Sequence, residues 1–385
     1  VFSGRTSYSF SKNQLTLALD ARRRNGLEIL DLTESNPTRV GLLYPAAAIL
    51  KALSTPRGLT YQPEPFGLLT AREAVAAYYR ERGQEVASHQ IALSASTSEA
   101  YSFLFKLLAD PDDQMLIPQP SYPLFDFLAR LNSVRPVQYP LVYDGSWHLD
   151  RNALVSALEF RTRAIVVVSP NNPTGSRIER EDWDWLADLS RDRVLPLVWD
   201  EVFHDYPLGS DAPAFSPLGR PDVPAFVLNG LSKTAGLPQL KLAWTVVTGD
   251  EKFREMALQR LEIVADTFLS VSTPVQEALP ELLALRFPIQ EEIRRRLVGN
   301  LTALHQILDG SPAEILPMQA GWYGLIRLPR VKSEDDWVLE LLQQKATLIH
   351  PGYFYDFQDE PYGVVSLLPE PQVFEQGISR LASLL

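Results

Sequence analysis

The sequence predicts an α/β protein: a large unit built on a mostly parallel sheet with helices on both faces, plus a smaller α+β unit. Three observations carry this. Short apolar runs bounded by Pro, Gly or Asn recur at residues 115–118, 164–168, 195–199, 225–228 and 240–247. Helical segments separate them, as expected of strands buried on both faces. After about residue 290 the order changes to a long charged helix followed by alternating strands and helices. The chain's 385 residues are also more than twice the ~150-residue domain prior, which leaves room for two units.

Residues 68–82 read as a helix, because Leu69, Val75, Ala76 and Tyr79 recur near the helical period and Gly83 is a stop. Residues 99–109 form the next, ended by Asp110-Pro111, and residues 181–192 a third between apolar runs. A long amphipathic helix over 290–308 carries Arg294, Arg295 and Arg296. A strand over 322–328 precedes a helix opened by Ser333-x-x-Asp336, a capping-box type of start. Strands near 347–350 and 363–368 and a helix over 372–385 complete the smaller unit. The segment before about residue 41 reads as extended and is expected to pack on it. The expected division is 41–287 for the large unit and 1–40 with 288–385 for the small, discontinuous one.

Composition narrows the chemistry. With 36 basic and 47 acidic residues the net charge is −11, which argues against a nucleic-acid footprint or a polybasic membrane patch. Zero cysteines exclude disulfides, thiolate-bound zinc, iron–sulfur centres and thiol catalysis. Five histidines, no two at helical ligand spacing, give no reason to expect a metal. No apolar run approaches the ~20 residues that span a bilayer. Residues 1–13 are polar and aromatic, without a signal-peptide core. A soluble, cytoplasmic enzyme is the expectation.

Four groups carry candidate chemistry. Lys233, in Asn229-Gly230-Leu231-Ser232-Lys233, follows an apolar run and so sits where α/β sheets place ligands. Burial there would leave an amine able to form a Schiff base with a carbonyl cofactor. Asp200 ends the run 195–199, a position from which a carboxylate can hold a ring-nitrogen proton. Asn172, in Asn171-Asn172-Pro173-Thr174-Gly175, is first a turn residue, with an amide able to donate to a phenolate-type oxygen. Ser96, Thr97 and Ser98 open a helix whose free N–H groups can cradle a phosphate. Each piece alone also reads as an ordinary loop lysine, strand-end acid, turn or cap. Their spacing joins them: Asn172 to Asp200 is 28 residues and Asp200 to Lys233 is 33, each one helix and one strand. No dinucleotide-binding or P-loop glycine motif competes.

This joint pattern resembles the class I/II aminotransferases, the fold-type-I pyridoxal-phosphate enzymes, from about Asn36 to the C-terminus. The resemblance implies pyridoxal 5′-phosphate as cofactor and Lys233 as the lysine that carries it and shuttles the proton. It implies that Asp200 pairs with the pyridine nitrogen, Asn172 with the ring's 3′-oxygen, and Tyr122 stacks on the ring. Ser96, Thr97, Ser98 and Ser232 match the phosphate-side residues. Tyr61 is similar to a tyrosine that reaches the phosphate of a partner subunit, which implies a homodimer.

Three positions depart from the family pattern. Lys241 stands where an arginine grips the phosphate, keeping the charge but not the bidentate fork. Phe203 stands where a tyrosine supplies a second hydrogen bond to the 3′-oxygen, and Tyr206 is the nearby residue able to restore it. Val364, in Gly363-Val364-Val365-Ser366, takes the place of the arginine that clamps a substrate α-carboxylate. Arg39 is the candidate replacement, with Arg327 behind it. The leading expectation is a ping-pong aminotransferase between an amino donor and a 2-oxo acid. A lyase or decarboxylase on the same cofactor, or a non-catalytic cofactor-binding protein, stays open at this point.

Overall fold

The computed structural model describes residues 1–209, 214–359 and 361–385. Its centre is an eight-stranded sheet of β2 (Ile91–Ser94), β3 (Gln114–Gln119), β4 (Arg135–Tyr143), β5 (Trp147–Leu149), β6 (Thr162–Val168), β7 (Leu197–Asp200), β8 (Ala225–Gly230) and β9 (Ala243–Thr248). β1 (Leu30–Asp31) lies outside it. The spatial order is β2-β9-β8-β7-β6-β3-β4-β5. The five strands β8, β7, β6, β3 and β4 run parallel, β2 shares their direction through antiparallel β9, and β5 returns as a hairpin from β4.

The apolar runs are continuous because both faces are covered. Along β6, Ala164, Val166 and Val168 enter one hydrophobic layer while Ile165 and Val167 enter the opposite one. β7 and β8 alternate likewise, with Val198, Phe226 and Leu228 on one side and Leu197, Trp199, Ala225 and Val227 on the other. Helix Thr97–Leu108 starts at a capped end: the Ser96 hydroxyl accepts from the Glu99 N–H at 3.1 Å, and the Glu99 carboxylate accepts from the Ala95 N–H at 2.6 Å.

A second, antiparallel sheet contains β10 (Glu314–Ile315), β11 (Tyr323–Arg327), β13 (His350–Pro351) and β14 (Tyr362–Ser366). β12 (Thr347–Leu348) pairs in parallel with β1. Helix Arg286–Leu308 connects the sheets over ~34 Å at 1.5 Å per residue. Near one end Gln290 donates to the Thr234 carbonyl, and further along Asn300 donates to the carbonyls of Leu367 and Pro369.

Several elements differ from their sequence reading. The N-terminal segment is not wholly extended: Gln14–Arg24 is a helix capped by Asn13, and only β1 continues it as strand. Its helical character is masked because Leu15 alone is buried while Leu17 is 52% exposed, so no apolar stripe forms. The run at 240–247 begins late. Pro238–Leu240 is a 3-10 turn and Lys241 is left-handed at φ 52°, so the strand starts at Ala243. The reading at 347–350 divides into β12 and β13, which join different sheets. Among the described residues, no helix is long and apolar enough to cross a membrane.

Candidate active site

The carboxyl ends of β6, β7 and β8 converge on one cavity of about 340 Å³. Register explains the convergence: Val168, Asp200 and Leu228 are direct cross-strand partners, so the segments leaving the three strands emerge side by side. The lining includes Ser96, Thr97, Ser98, Tyr122, Asn172, Asp200, Phe203, Ser232, Lys233 and Lys241. Ten of the twelve expected site residues therefore meet in one place.

Asp200 is 8% exposed. Its Oδ1 accepts from the Val202 N–H at 3.1 Å and its Oδ2 from the Tyr101 hydroxyl at 2.9 Å. Burial pushes its carboxyl up to about 6, with those two donors pulling back toward the ionised form. Lys233 sits on the short helix Leu231–Thr234 that leaves β8. Burial pulls its ammonium down to about 8, and the Asp200 carboxylate acts in the opposite sense. Its Nζ lies 4.6 Å from the Trp322 ring centroid and 5.4 Å from that of Phe203. Two aromatic faces attract the charged form without supplying an acceptor that would fix its proton.

Asn172 belongs to a turn closed by Gly175, whose N–H bonds the Asn171 carbonyl. Gly175 has φ +67°, and a Cβ there would lie 2.6 Å from the Ala320 carbonyl oxygen. The Gly175 carbonyl in turn accepts from the N–H groups of Gln319 and Ala320, tying this turn to the segment leading into β11. The Asn172 Oδ1 is buried and has no hydrogen-bond partner among the described residues. An unpaired amide oxygen beside a cavity is costly unless a hydrogen-bond donor meets it. Tyr122 is half-buried, with its hydroxyl pushed up by burial and by the Asp200 charge and pulled down by Ser98.

Two expected residues lie off this lining. Arg39 is exposed and has no ion-pair partner among the described residues. The turn that places Ser35 on the cavity wall, in which Asn36 accepts from the Thr38 N–H and hydroxyl, carries Arg39 away. Tyr61 is 74% exposed and lines a separate cleft with Leu269 and Ser270. Tyr206, the residue able to restore a donor beside Phe203, is committed elsewhere: its hydroxyl donates to the Lys233 carbonyl at 2.6 Å.

Sequence reasoning missed Tyr101, Tyr323 and Ser35, all on the lining. A signal for Tyr101 existed, since it lies four residues after Thr97 and so shares that helix face. Among the described residues no cluster of acidic or histidine side chains could hold a metal. The residues present do fit a phosphorylated pyridine. A buried carboxylate lies on one part of the wall, the Asn172 amide on another, and the free N–H groups at the start of helix Thr97–Leu108 share the cavity with Lys241.

A family model described as aminotransferase class I and II matches residues 28–371. The chain is 27% identical over 375 residues to a glutamate-pyruvate aminotransferase, AlaA, of Escherichia coli, covering 94% of this chain and 91% of that protein. It is 29% identical over 373 residues to an alanine aminotransferase of Mycobacterium bovis, covering 94% and 86%. In fold it is similar to the alanine aminotransferase of Pyrococcus furiosus, with TM-score 0.89, 22% identity and coverage of 100% and 99%. A mutant of the aspartate aminotransferase of Thermus thermophilus gives 0.86 at 22% identity, with both chains fully covered.

Proposed function

The chain belongs to the class I and II aminotransferases, and from that premise we propose how its own residues run the reaction. It is a pyridoxal-phosphate-dependent aminotransferase that moves an amino group between an amino donor and a 2-oxo acid by a ping-pong mechanism. The bound cofactor supplies the electron sink that takes up the pair released when the substrate Cα–H bond breaks.

Asp200 would hold the proton of the ring nitrogen, Asn172 would hydrogen-bond the ring's 3′-oxygen, and Tyr122 would stack on the ring. Thr97 and Ser98, with the free backbone N–H groups beside them, hold the phosphate, joined by Ser232 and the ammonium of Lys241. Ser96 holds that helix start in shape through its cap. Lys233 would act through Nζ as the base that takes up the substrate Cα proton and later gives it back. Its amine suits this work because burial leaves a fraction deprotonated near neutral pH. Phe203 and Trp322 shield the amine from water.

The unit 41–287 holds the cofactor, and the unit built from 1–40 and 288–385 closes the substrate side. Two copies form a homodimer in which Tyr61 of each reaches the phosphate site of the other. Its 74% exposure, and that of Leu59 at 90% and Ile263 at 70%, supports a covered face.

The observation that carries the assignment is the pair of buried groups, Asp200 raised to about 6 and Lys233 lowered to about 8, on one cavity. Adding pyridoxal phosphate to the protein should give a visible absorption band that Lys233→Ala abolishes. Alanine or glutamate should then bleach the band, and a 2-oxo acid should restore it. Release of ammonia and a 2-oxo acid without a recoverable band would indicate a lyase. No band at all would reject the assignment.

A further inference from the structure

The substrate side of this cavity is neutral. Among the described residues the only cations on its lining are Lys241, given to the phosphate, and Lys233, given to the Cα proton, in the proposed function. The rest of the wall is uncharged apart from Asp200 and includes Ser35, Val168, Val202, Phe203 and Tyr323. Val364, which stands where the family pattern has its carboxylate-clamping arginine, is 1% exposed. It pairs with Leu325 on one side and His350 on the other, and packs with Leu316, Tyr355 and Trp147.

No neighbouring group supplies the missing charge. His350 shares a hydrogen bond with the Tyr355 hydroxyl, and burial lowers its pKa below the usual histidine value despite Asp31. Arg327 is bonded to Glu314 at 2.7 Å and opens on a separate cleft with Tyr143 and Trp147. Arg39 is exposed. Val364 is absent from the cavity lining, so the side chain at the arginine's position offers the site no charge; a carboxylate entering this cavity would lose its water without gaining a charged partner beyond the two lysines, which is costly. An amine with no carboxylate would lose nothing there.

Resting on the aminotransferase assignment, we infer that this site accepts primary arylalkyl amines lacking an α-carboxylate as amino donors. The amine carbon is oxidised to an aldehyde while the 2-oxo acid is reduced to an amino acid. Nitrogen passes one way, the carbonyl oxygen the other, and Lys233 moves the Cα proton. The acceptor's carboxylate is met by neutral donors, the hydroxyls of Ser35 and Tyr323, which also hydrogen-bond one another. Such donors are individually weaker than a bidentate arginine, so the carboxylate gives little discrimination.

The test compares L-phenylalanine with 2-phenylethylamine, which differ only in the carboxylate, on the cofactor-loaded protein. Bleaching of the visible band is followed in single turnovers, with alanine and glutamate as reference donors. The two aromatic donors should react within about tenfold of each other, with phenylacetaldehyde as the amine's product. A preference for phenylalanine above about 100-fold, the worth of a charged hydrogen-bond partner, overturns the inference and leaves transamination standing. Bleaching by no donor at all overturns both. Binding gives a readout free of turnover: 3-phenylpropionate and 3-phenylpropanol should perturb the band with dissociation constants within about tenfold, and a carboxylate advantage above about 100-fold would contradict the neutral wall. Val364→Arg that still binds cofactor should shift preference toward phenylalanine by about 10- to 100-fold. An unchanged ratio in that variant would refute the role given to position 364.

Discussion

Tyr101→Phe removes one oxygen and leaves the packing of a fully buried ring in place. The lost contact is the 2.9 Å hydrogen bond from the Tyr101 hydroxyl to Asp200 Oδ2. Hydrogen bonds to charged groups are worth ~1.5–3 kcal/mol, and one pKa unit is 1.36 kcal/mol, so the Asp200 pKa should rise by roughly one to two units. From about 6 it would move to roughly 7–8 in the empty site. The ionised fraction at pH 7 then drops from about nine-tenths to between about a half and a tenth. If the cofactor needs the ionised form, its apparent affinity at pH 7 should weaken about two- to tenfold and recover by pH 9. Fluorescence or absorbance titration of pyridoxal phosphate into the empty protein between pH 5.5 and 9 measures this. A uniform weakening at every pH would refute the argument, because it would show lost packing rather than a moved titration.

Three further outcomes follow from the same geometry. Phe203→Tyr adds a donor beside the cofactor's 3′-oxygen, so the pH at which the bound cofactor's visible band titrates should fall by about one unit. A spectrophotometric titration showing no fall would place residue 203 out of reach of that oxygen. Arg82 pairs at 2.8 Å with Glu201, the residue that follows Asp200 and whose side chain is fully buried. Arg82→Ala should cost about 3–5 kcal/mol in denaturant unfolding, since it strands a buried carboxylate; a loss under about 1 kcal/mol would mean Glu201 finds another partner or protonates freely. Asp113 accepts from Arg163 at 2.7 Å and from Arg161 at 2.9 Å, and these bonds hold its carboxyl well below the usual range against the opposing effect of burial. Its folded pKa is depressed, so its contribution is present above about pH 4 and is lost as pH falls further. Asp113→Asn should therefore destabilise by about 1–2 kcal/mol at pH 7, discounted because both arginines are partly exposed, and by less near pH 3. Equal losses at both pH values would rule out the ion pairs as the source.

The core of the site was legible because three of its groups lie just past buried strands. Asn172, Asp200 and Lys233 each follow an apolar run, and the helix-plus-strand spacing returns them to one edge. Tyr101 and Tyr323 were not legible in the same way. An aromatic residue inside an amphipathic helix, or opening a strand, has the same pattern whether it packs in the core or bonds a carboxylate. Arg39 illustrates the reverse. Sequence order places it near the substrate, but a local Asn36 turn decides which way the side chain leaves. The helix Gln14–Arg24 escaped because its one buried residue makes no periodic stripe. The β4–β5 hairpin escaped because Arg135–Tyr143 has no fully buried run.

The cross-strand alignment of Val168, Asp200 and Leu228 acts as a fixed caliper. Neighbouring strands stand ~4.8 Å apart, so the segments leaving the two outer strands are separated by ~10 Å, about the width of one substituted six-membered ring. That width belongs to the backbone and no side-chain substitution can retune it. Deleting a single residue within Leu197–Asp200 would turn the carboxylate to the opposite face of the sheet. Residues in the loops beyond the strand ends can change without moving the jaws. The wall at Tyr323 and Ser35 can therefore be altered while the spacing set by the three strands stays as it is.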